Sequence, residues 1–299
     1  MEILRLEDVR KDFNGIRAVD NFSWIVKQGS IYGLLGPNGA GKTTIIRMIL
    51  NIILPDKGNI EVFGKAISDK AYAKIGYLPE ERGLYKKMKV KEMLKFLAEI
   101  KGIYGLKINS LIEEWLSRFN LLQYKDKKVE ELSKGMQQKL QFISTAIHNP
   151  DLLILDEPFS GLDPINADLL KDIIIEMKNI GKTIILSTHQ MEQAERMCDN
   201  ICMINKSKKV IDATLQEIKK KYAQDSVVIE FYGEPIFIDK CKDIIDKANV
   251  YSNYAEIRLK SKESASVLLK EAISSVLVSK FEITEPSLHD IFIEIVSGK

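Results

Sequence analysis

Hydrophobic positions along this chain follow two different periods, and each marks a different kind of element. Ile31-Tyr32-Gly33-Leu34-Leu35, Leu152-Leu153-Ile154-Leu155 and Thr183-Ile184-Ile185-Leu186-Ser187 are short, nearly continuous apolar runs. Runs of this kind predict strands buried on both faces of a parallel sheet. Ile3 to Leu6, Phe22 to Val26 and Gly58 to Phe63 predict further strands, with turns near Asn14-Gly15 and Gln28-Gly29. Helices are predicted from Lys42 to Asn51 and from Ile165 to Asn179, the latter closed by Gly181. Residues 152–187 therefore read as strand, helix, strand, the unit from which parallel sheets are built. Between Val90 and Ile147 the spacing turns helical: Met93, Leu94, Phe96, Leu97 and Ile100, then Leu111, Ile112, Trp115, Leu116 and Phe119. The methionine and aromatic content of that stretch reads as core packing.

The texture changes again after a lysine-rich helix predicted at Leu215 to Tyr222. Short strands at 227–231, 256–259 and 281–283 alternate with helices near 238–247, near 263–276 and from Ser287 onward. The pattern predicts an α/β domain over residues 1–220, with a helical subdomain at about 84–147, and a separate small α+β domain over 221–299. No internal repeat and no low-complexity tract interrupts it.

Composition narrows the function classes. Lysine and arginine total 44 against 42 acids, a net charge of +2, which gives no electrostatic case for nucleic acid. The amino terminus lacks an apolar signal core, and no apolar run approaches the roughly 18 residues of a membrane span. A cytoplasmic protein is expected, with any membrane work resting on a partner that supplies the spans. Cys198, Cys202 and Cys241 form no CxxC pair and read as reduced thiols. The first two, four residues apart, are expected to share a helix face.

Chemistry concentrates where predicted strands end. Gly36-Pro37-Asn38-Gly39-Ala40-Gly41-Lys42-Thr43 has the Walker A spacing, after a strand and at the start of a helix. Its glycines let backbone N–H groups turn inward around a phosphate chain, to which the helix N-terminus adds a positive dipole end. Lys42 is placed to reach the β and γ phosphates, Thr43 to offer a hydroxyl to Mg²⁺, and Thr44 to reach the α phosphate. Leu153-Ile154-Leu155-Asp156-Glu157 is an apolar strand ending in two acids, which emerge at the carboxyl edge where such sheets bind ligands. Asp156 suits a magnesium-holding carboxylate, and Glu157 a general base that orients the attacking water. His189, one of three histidines, follows the strand 183–187 and points to a γ-phosphate contact.

With those residues in place, the chain resembles the ATP-binding subunits of ABC transporters, a match running from residue 1 to about 220. Leu132-Ser133-Lys134-Gly135-Met136-Gln137-Gln138-Lys139 resembles the signature motif, Ser160-Gly161-Leu162-Asp163 the D-loop, and Gly76-Tyr77-Leu78-Pro79-Glu80 the Q-loop, in the family's order. Glu80-Glu81-Arg82-Gly83-Leu84-Tyr85, the form of the signature and the ending from Glu285-Pro286-Ser287 are similar to ABC-2-type exporters, especially bacterial sodium-exporter ATPases. The resemblance implies a P-loop NTPase head with a parallel-sheet core, an N-terminal antiparallel β subdomain and a helical subdomain. It implies ATP and Mg²⁺, with Glu80 as a further metal ligand and Phe13 in place of the usual adenine-stacking tyrosine.

The same resemblance implies two heads, as homodimer or heterodimer, with Ser133 and Gly135 of each acting on the ATP held by the other. A permease subunit at the cytoplasmic face of the membrane would receive the motion, through residues of about 80 to 147. Besides Phe13, three positions depart from the family: Glu80 replaces glutamine, Lys134 a glycine, and Met136 a glutamine. Glutamate keeps an oxygen for a metal but donates no hydrogen bond unless protonated. The competing class is a soluble ABC ATPase acting on ribosomes or nucleic acid, against which stand the single head and the absence of a heptad run or basic tail. A silent, ATP-binding subunit is opposed by the presence of Glu157 and His189. The cargo has no signature in these motifs.

Overall fold

A computed structural model describes residues 1–66, 68–81, 83–105, 107–222, 226–261 and 263–297. Arg82, within the 80–85 stretch singled out above, lies outside the described residues. The first part of the chain runs through β1 (Glu2–Phe13), β2 (Ile16–Lys27), β3 (Ile31–Leu35), α1 (Lys42–Ile49), β4 (Lys57–Val62), α2 (Asp69–Tyr72) and β5 (Ile75–Leu78). Then come α3 (Val90–Ile100), α4 (Lys107–Arg118), α5 (Lys134–Ala146), β6 (Leu152–Asp156), α6 (Pro164–Asn179), β7 (Thr183–Thr188), α7 (Met191–Met197), β8 (Asn200–Asn205) and β9 (Lys208–Thr214). The remainder holds α8 (Leu215–Lys221), β10 (Ser226–Tyr232), α9 (Ile236–Lys240), β11 (Ile245–Val250), β12 (Tyr254–Leu259), α10 (Ser264–Ser275), β13 (Leu277–Thr284) and α11 (Leu288–Ser297).

Two compact units divide these elements, Met1–Thr214 and Leu215–Lys299. The division falls six residues before the boundary expected after residue 220, and α8 lies in the second unit. In the first unit a six-stranded sheet has the order β5-β6-β7-β3-β8-β9, parallel except for β9. Every residue of β3, β6 and β7 is buried. That burial is why their sequences are continuous apolar runs rather than alternations. A second, antiparallel sheet of order β2-β1-β4 forms the expected N-terminal β subdomain, and its alternating inner face delivers Leu6, Val19, Phe22 and Trp24 to one shared core. Three helices, α3 to α5, pack together where the helical subdomain was expected, around Phe119, whose ring lies 6.3 Å from Trp115 and 5.7 Å from Phe142.

The second unit is a four-stranded antiparallel sheet of order β11-β12-β10-β13, with Val227, Ile229, Phe231, Ile257 and Leu268 in its core. Two expectations fail. The helix predicted at 238–247 stops at Lys240, and Ile245 opens β11 by pairing with Leu259. Cys198 and Cys202 share no helix face: α7 ends at Met197, and Cys202 is a residue of β8. Among the described residues no helix is long and apolar enough to cross a membrane.

Candidate active site at the carboxyl edge of the parallel sheet

The loop between β3 and α1 is glycine-rich because backbone from elsewhere crowds it. A Cβ at Gly36 would sit 2.2 Å from the carbonyl oxygen of Ile204, and one at Gly41 2.5 Å from that of Ala18. Gly41 also holds a left-handed φ of 112° and caps α1 without a side chain, so no side chain takes up the helix's first amides. The next residue, Lys42, is only 7% exposed. Its Nζ donates to the carbonyl oxygens of Gly36 (2.7 Å) and Pro37 (3.2 Å), curling the side chain over the loop it follows. Burial pulls its pKa down, against the pull of Glu157, Asp156 and Glu80.

The acids come from the next strand but one. Asp156 ends β6, and its Oδ2 accepts a 3.0 Å hydrogen bond from Thr43 Oγ1 on α1. Burial raises its pKa above the ordinary aspartate value. Glu157 leaves the strand in a left-handed conformation (φ 48°), its N–H donating to the Ser187 carbonyl. This turn swings its carboxylate toward the end of β7. There Oε2 accepts from Thr188 Oγ1 (3.0 Å), while Oε1 accepts from the His189 backbone N–H (2.9 Å) and lies 2.7 Å from His189 Nδ1. The proton of that imidazole belongs on Nδ1, since an ionised carboxylate only accepts.

A cleft of about 270 Å³ is lined by Lys42, Thr43, Glu80, Asp156 and Glu157, with Ala18, Asn38, Gly39, Gly41 and Thr44 completing its wall. The Walker A residues, both acids and Glu80 are thus brought together, and His189 joins them through Glu157. Pro37 lends its carbonyl to Lys42; Ala40, in the same loop, is buried. Phe13 stands at the end of β1, 44% exposed, with Lys11 Nζ 5.4 Å from the centre of its ring. Ser133 and Gly135 stand elsewhere. Ser133 caps α5, its Oγ accepting from Met136 N–H at 3.3 Å, and Gly135 lies beside Gly161 and Leu162.

The site fits a phosphate chain with a divalent ion. A loop of three glycines, two of them hemmed in by backbone, a buried ammonium and a hydroxyl-carboxylate pair make an anion cradle with an adjacent cation position. Among the described residues no three His, Cys, Asp or Glu side chains gather to hold a metal unaided. An ion on Thr43 and Asp156 would be completed by phosphate and water, the usual habit of magnesium. A hollow of similar size beside Arg5, Ser23 and Lys209 offers no such chemistry, because Lys209 pairs with Asp212 and the Ser23 carbonyl, and Arg5 with Glu2 and Glu7.

Three residues have a positioning role that the sequence did not signal, although Gln138 lies within the quoted signature motif. Thr188 holds Glu157, as above. Gln138, on α5, donates to the Pro158 carbonyl at 3.0 Å. Gln141, one turn further on, donates to the carbonyls of Pro79 and Glu81, both at 3.2 Å, and so grips the chain on either side of Glu80. Their partners, the Glu157 carboxylate for Thr188 and backbone carbonyls for the two glutamines, lie far away in sequence, which side-chain spacing does not encode. Thr188→Val keeps the shape of the side chain but removes a buried donor to a carboxylate, and is expected to cost about 1.5–3 kcal/mol of stability. Urea unfolding of the nucleotide-free chain measures it.

Comparison with known proteins agrees with this geometry. A family model described as ABC transporter matches residues 19–160, and one described as ATP-binding protein DrrA1-3-like, C-terminal domain, matches residues 214–296. An uncharacterized ABC transporter ATP-binding protein of Bacillus subtilis (strain 168) is 42% identical over 296 residues, 99% of each chain. One from Methanocaldococcus jannaschii is 44% identical over 291 residues, 97% of this chain and 98% of its own. The Nod factor export ATP-binding protein I of Rhizobium sp. (strain N33) is 32% identical over 294 residues, 97% of this chain and 95% of its own. A solved structure described as the ATP binding subunit of an ABC transporter has a TM-score of 0.69 at 29% identity, covering 74% of this chain and 93% of that one. A phosphate cradle, an acid pair at the end of β6 and relatives alike over nearly their whole length lead to one conclusion: the chain belongs to the ATP-binding proteins of ABC transporters.

Proposed function

We propose that this chain hydrolyses ATP as the motor subunit of a membrane exporter. The observation that carries the reading is the Glu157 carboxylate. It sits in the same cleft as Lys42, Thr43 and Asp156, and Thr188 and His189 hold it in one orientation. In this reading Lys42 and the loop amides bind the β and γ phosphates, and Thr44 meets the α phosphate. Thr43, Asp156 and Glu80 hold Mg²⁺, which neutralises charge developing on the phosphates. Glu157 accepts a proton from the attacking water and His189 contacts the γ phosphate. Phe13 offers a ring face to adenine.

Ser133 and Gly135 stand outside this cleft, in keeping with a role on the ATP of a second head. ATP would then close two heads, and hydrolysis reopen them, a two-state element biased by its ligand. Export is favoured by relatives named for it, and a cytoplasmic-face location through a permease follows from such a role. The net charge of +2 supplies no field for nucleic acid. Co-purification from membranes is the test: a multi-span membrane protein is expected to accompany the tagged chain, and its consistent absence, with ATPase activity present, would turn the assignment toward a soluble ATPase.

One helix links the parts of this motor. The N-terminus of α5 carries Ser133, its middle holds Pro158 next to Glu157, and Gln141 holds the turn that bears Glu80. Gln141→Leu leaves the phosphate cradle intact and frees that turn. Turnover is expected to fall about tenfold, since small misplacements of a ligand carry large kinetic costs. The Mg²⁺ concentration for half-maximal rate should rise with it, while nucleotide affinity without Mg²⁺ stays unchanged. Steady-state assays across a Mg²⁺ titration check both.

A further inference from the structure

The sheet of the second unit ends on β13, and among the described residues no strand lies on its outer side. An uncovered edge presents a row of N–H and C=O groups ready to pair with another strand. β13 reads LVSKFEIT, contains no proline, and leaves Leu277, Ser279, Lys280, Glu282 and Ile283 exposed. Its two charges are of opposite sign, two residues apart on one face, and 2.6 Å from each other.

We infer that two copies of this chain associate through β13, paired antiparallel with the two-fold axis at Phe281. Directly opposed residues of an antiparallel pair share a face. Centred on Phe281, the pairing sets Lys280 against Glu282 of the second copy, and Glu282 against its Lys280. A slip of the register by one residue, which puts the axis between two residues, opposes inner-face to outer-face positions and breaks the continuity of the sheet. An axis at Lys280 or at Glu282 sets that residue against its own copy, like charge on like. Phe281 is therefore the one centre that matches the charges. Glu230 of β10 already stands opposite Lys280, so the row across the joint alternates: Glu230, Lys280, then the second copy's Glu282. On the inner face Phe281, packed on the unit's core, meets its own copy, and Ile283, now 54% exposed, gains cover. Two four-stranded sheets become one.

The inference rests on the two-head reading above only for its purpose. A joint independent of nucleotide would keep two heads tethered, so that closure on ATP becomes an intramolecular step with a high effective concentration.

Sedimentation velocity on the nucleotide-free full chain, from about 1 to about 100 μM, tests it. A concentration-dependent dimer is expected. Lys280→Glu and Glu282→Lys each place like charges opposite one another twice, and should weaken self-association about tenfold at low salt. An equimolar mixture of the two variants restores both unlike pairs and should recover dimer, as should the double charge swap. Circular dichroism confirms that each variant is folded. A wild-type chain that stays monomeric, a dimer indifferent to either single variant, or a mixture that fails to recover would each overturn the proposal, the last two showing that these charges serve only to keep the edge from pairing. ATP-driven dimerisation of Glu157→Gln, measured in the Lys280→Glu background, reports on the heads alone. Its loss with the nucleotide-free wild-type dimer intact would strike the two-head reading and leave β13 standing.

Discussion

Glu157→Gln is expected to bind MgATP with near wild-type affinity and to hydrolyse it at least about 100-fold more slowly, the scale of a lost general base. The reason lies in what the substitution keeps. The amide is the same size as the carboxylate, so the left-handed turn after β6 and the fit against β7 survive. One amide oxygen can still accept from the His189 backbone N–H, where the carboxylate accepts now at 2.9 Å. Lost is basicity: an amide oxygen takes a proton from water far less readily than a carboxylate does. Lys42, Thr43 and Asp156 are untouched, so the nucleotide is held but not consumed, and an ATP-bound dimer should accumulate on gel filtration. Single-turnover hydrolysis of radiolabelled ATP measures the rate. Wild-type turnover in this variant would remove Glu157 from the chemistry and leave it a brace for β7.

The parts of the structure that could be read in advance are those where local pattern and tertiary role coincide. β3, β6 and β7 are buried on both faces, so burial itself writes a continuous apolar run into the sequence. Walker A is legible because crowding by Ile204 and Ala18 leaves room only for glycine at two fixed positions. The missed strands are short or polar at their ends: β5 has four residues, and β8 begins and ends on asparagine. The failed helix at 238–247 shows a genuine conflict. Phe237, Ile238, Cys241, Ile244 and Ile245 repeat at helical spacing, but Ile244 lies in a turn bonded to the Cys241 carbonyl, and Ile245 already opens β11 by pairing with β12. Cross-strand pairing overrides the local preference there. The site shows the same division. Residues that touch phosphate sit in contiguous motifs, whereas Thr188, Gln138 and Gln141 act through hydrogen bonds spanning 31, 20 and about 60 positions.

Lys42→Ala is expected to weaken ATP binding by about 30- to 150-fold, equivalent to about 2–3 kcal/mol for hydrogen bonds between charged groups. The lysine is almost wholly buried, and its ammonium donates to the carbonyls of Gly36 and Pro37, on the loop that shapes the cradle. A phosphate oxygen, being charged, is a better acceptor than either carbonyl, so the ammonium gains most when nucleotide arrives. Alanine removes that gain and leaves Thr43 and Asp156 in place. Folding should respond differently from binding. Burial lowers the folded-state pKa of Lys42 below its ordinary 10.5, so the unfolded chain binds this proton more tightly than the folded one. The charge therefore costs stability at neutral pH, and the cost fades as pH rises through the folded value toward 10.5. Relative to the alanine variant, the wild-type chain should gain stability across that window, in urea titrations run at a series of alkaline pH values. Titration calorimetry at neutral pH supplies the binding half. An ATP affinity unchanged by Lys42→Ala would mean that the ammonium serves only its own loop, and that the glycine amides alone hold the phosphates.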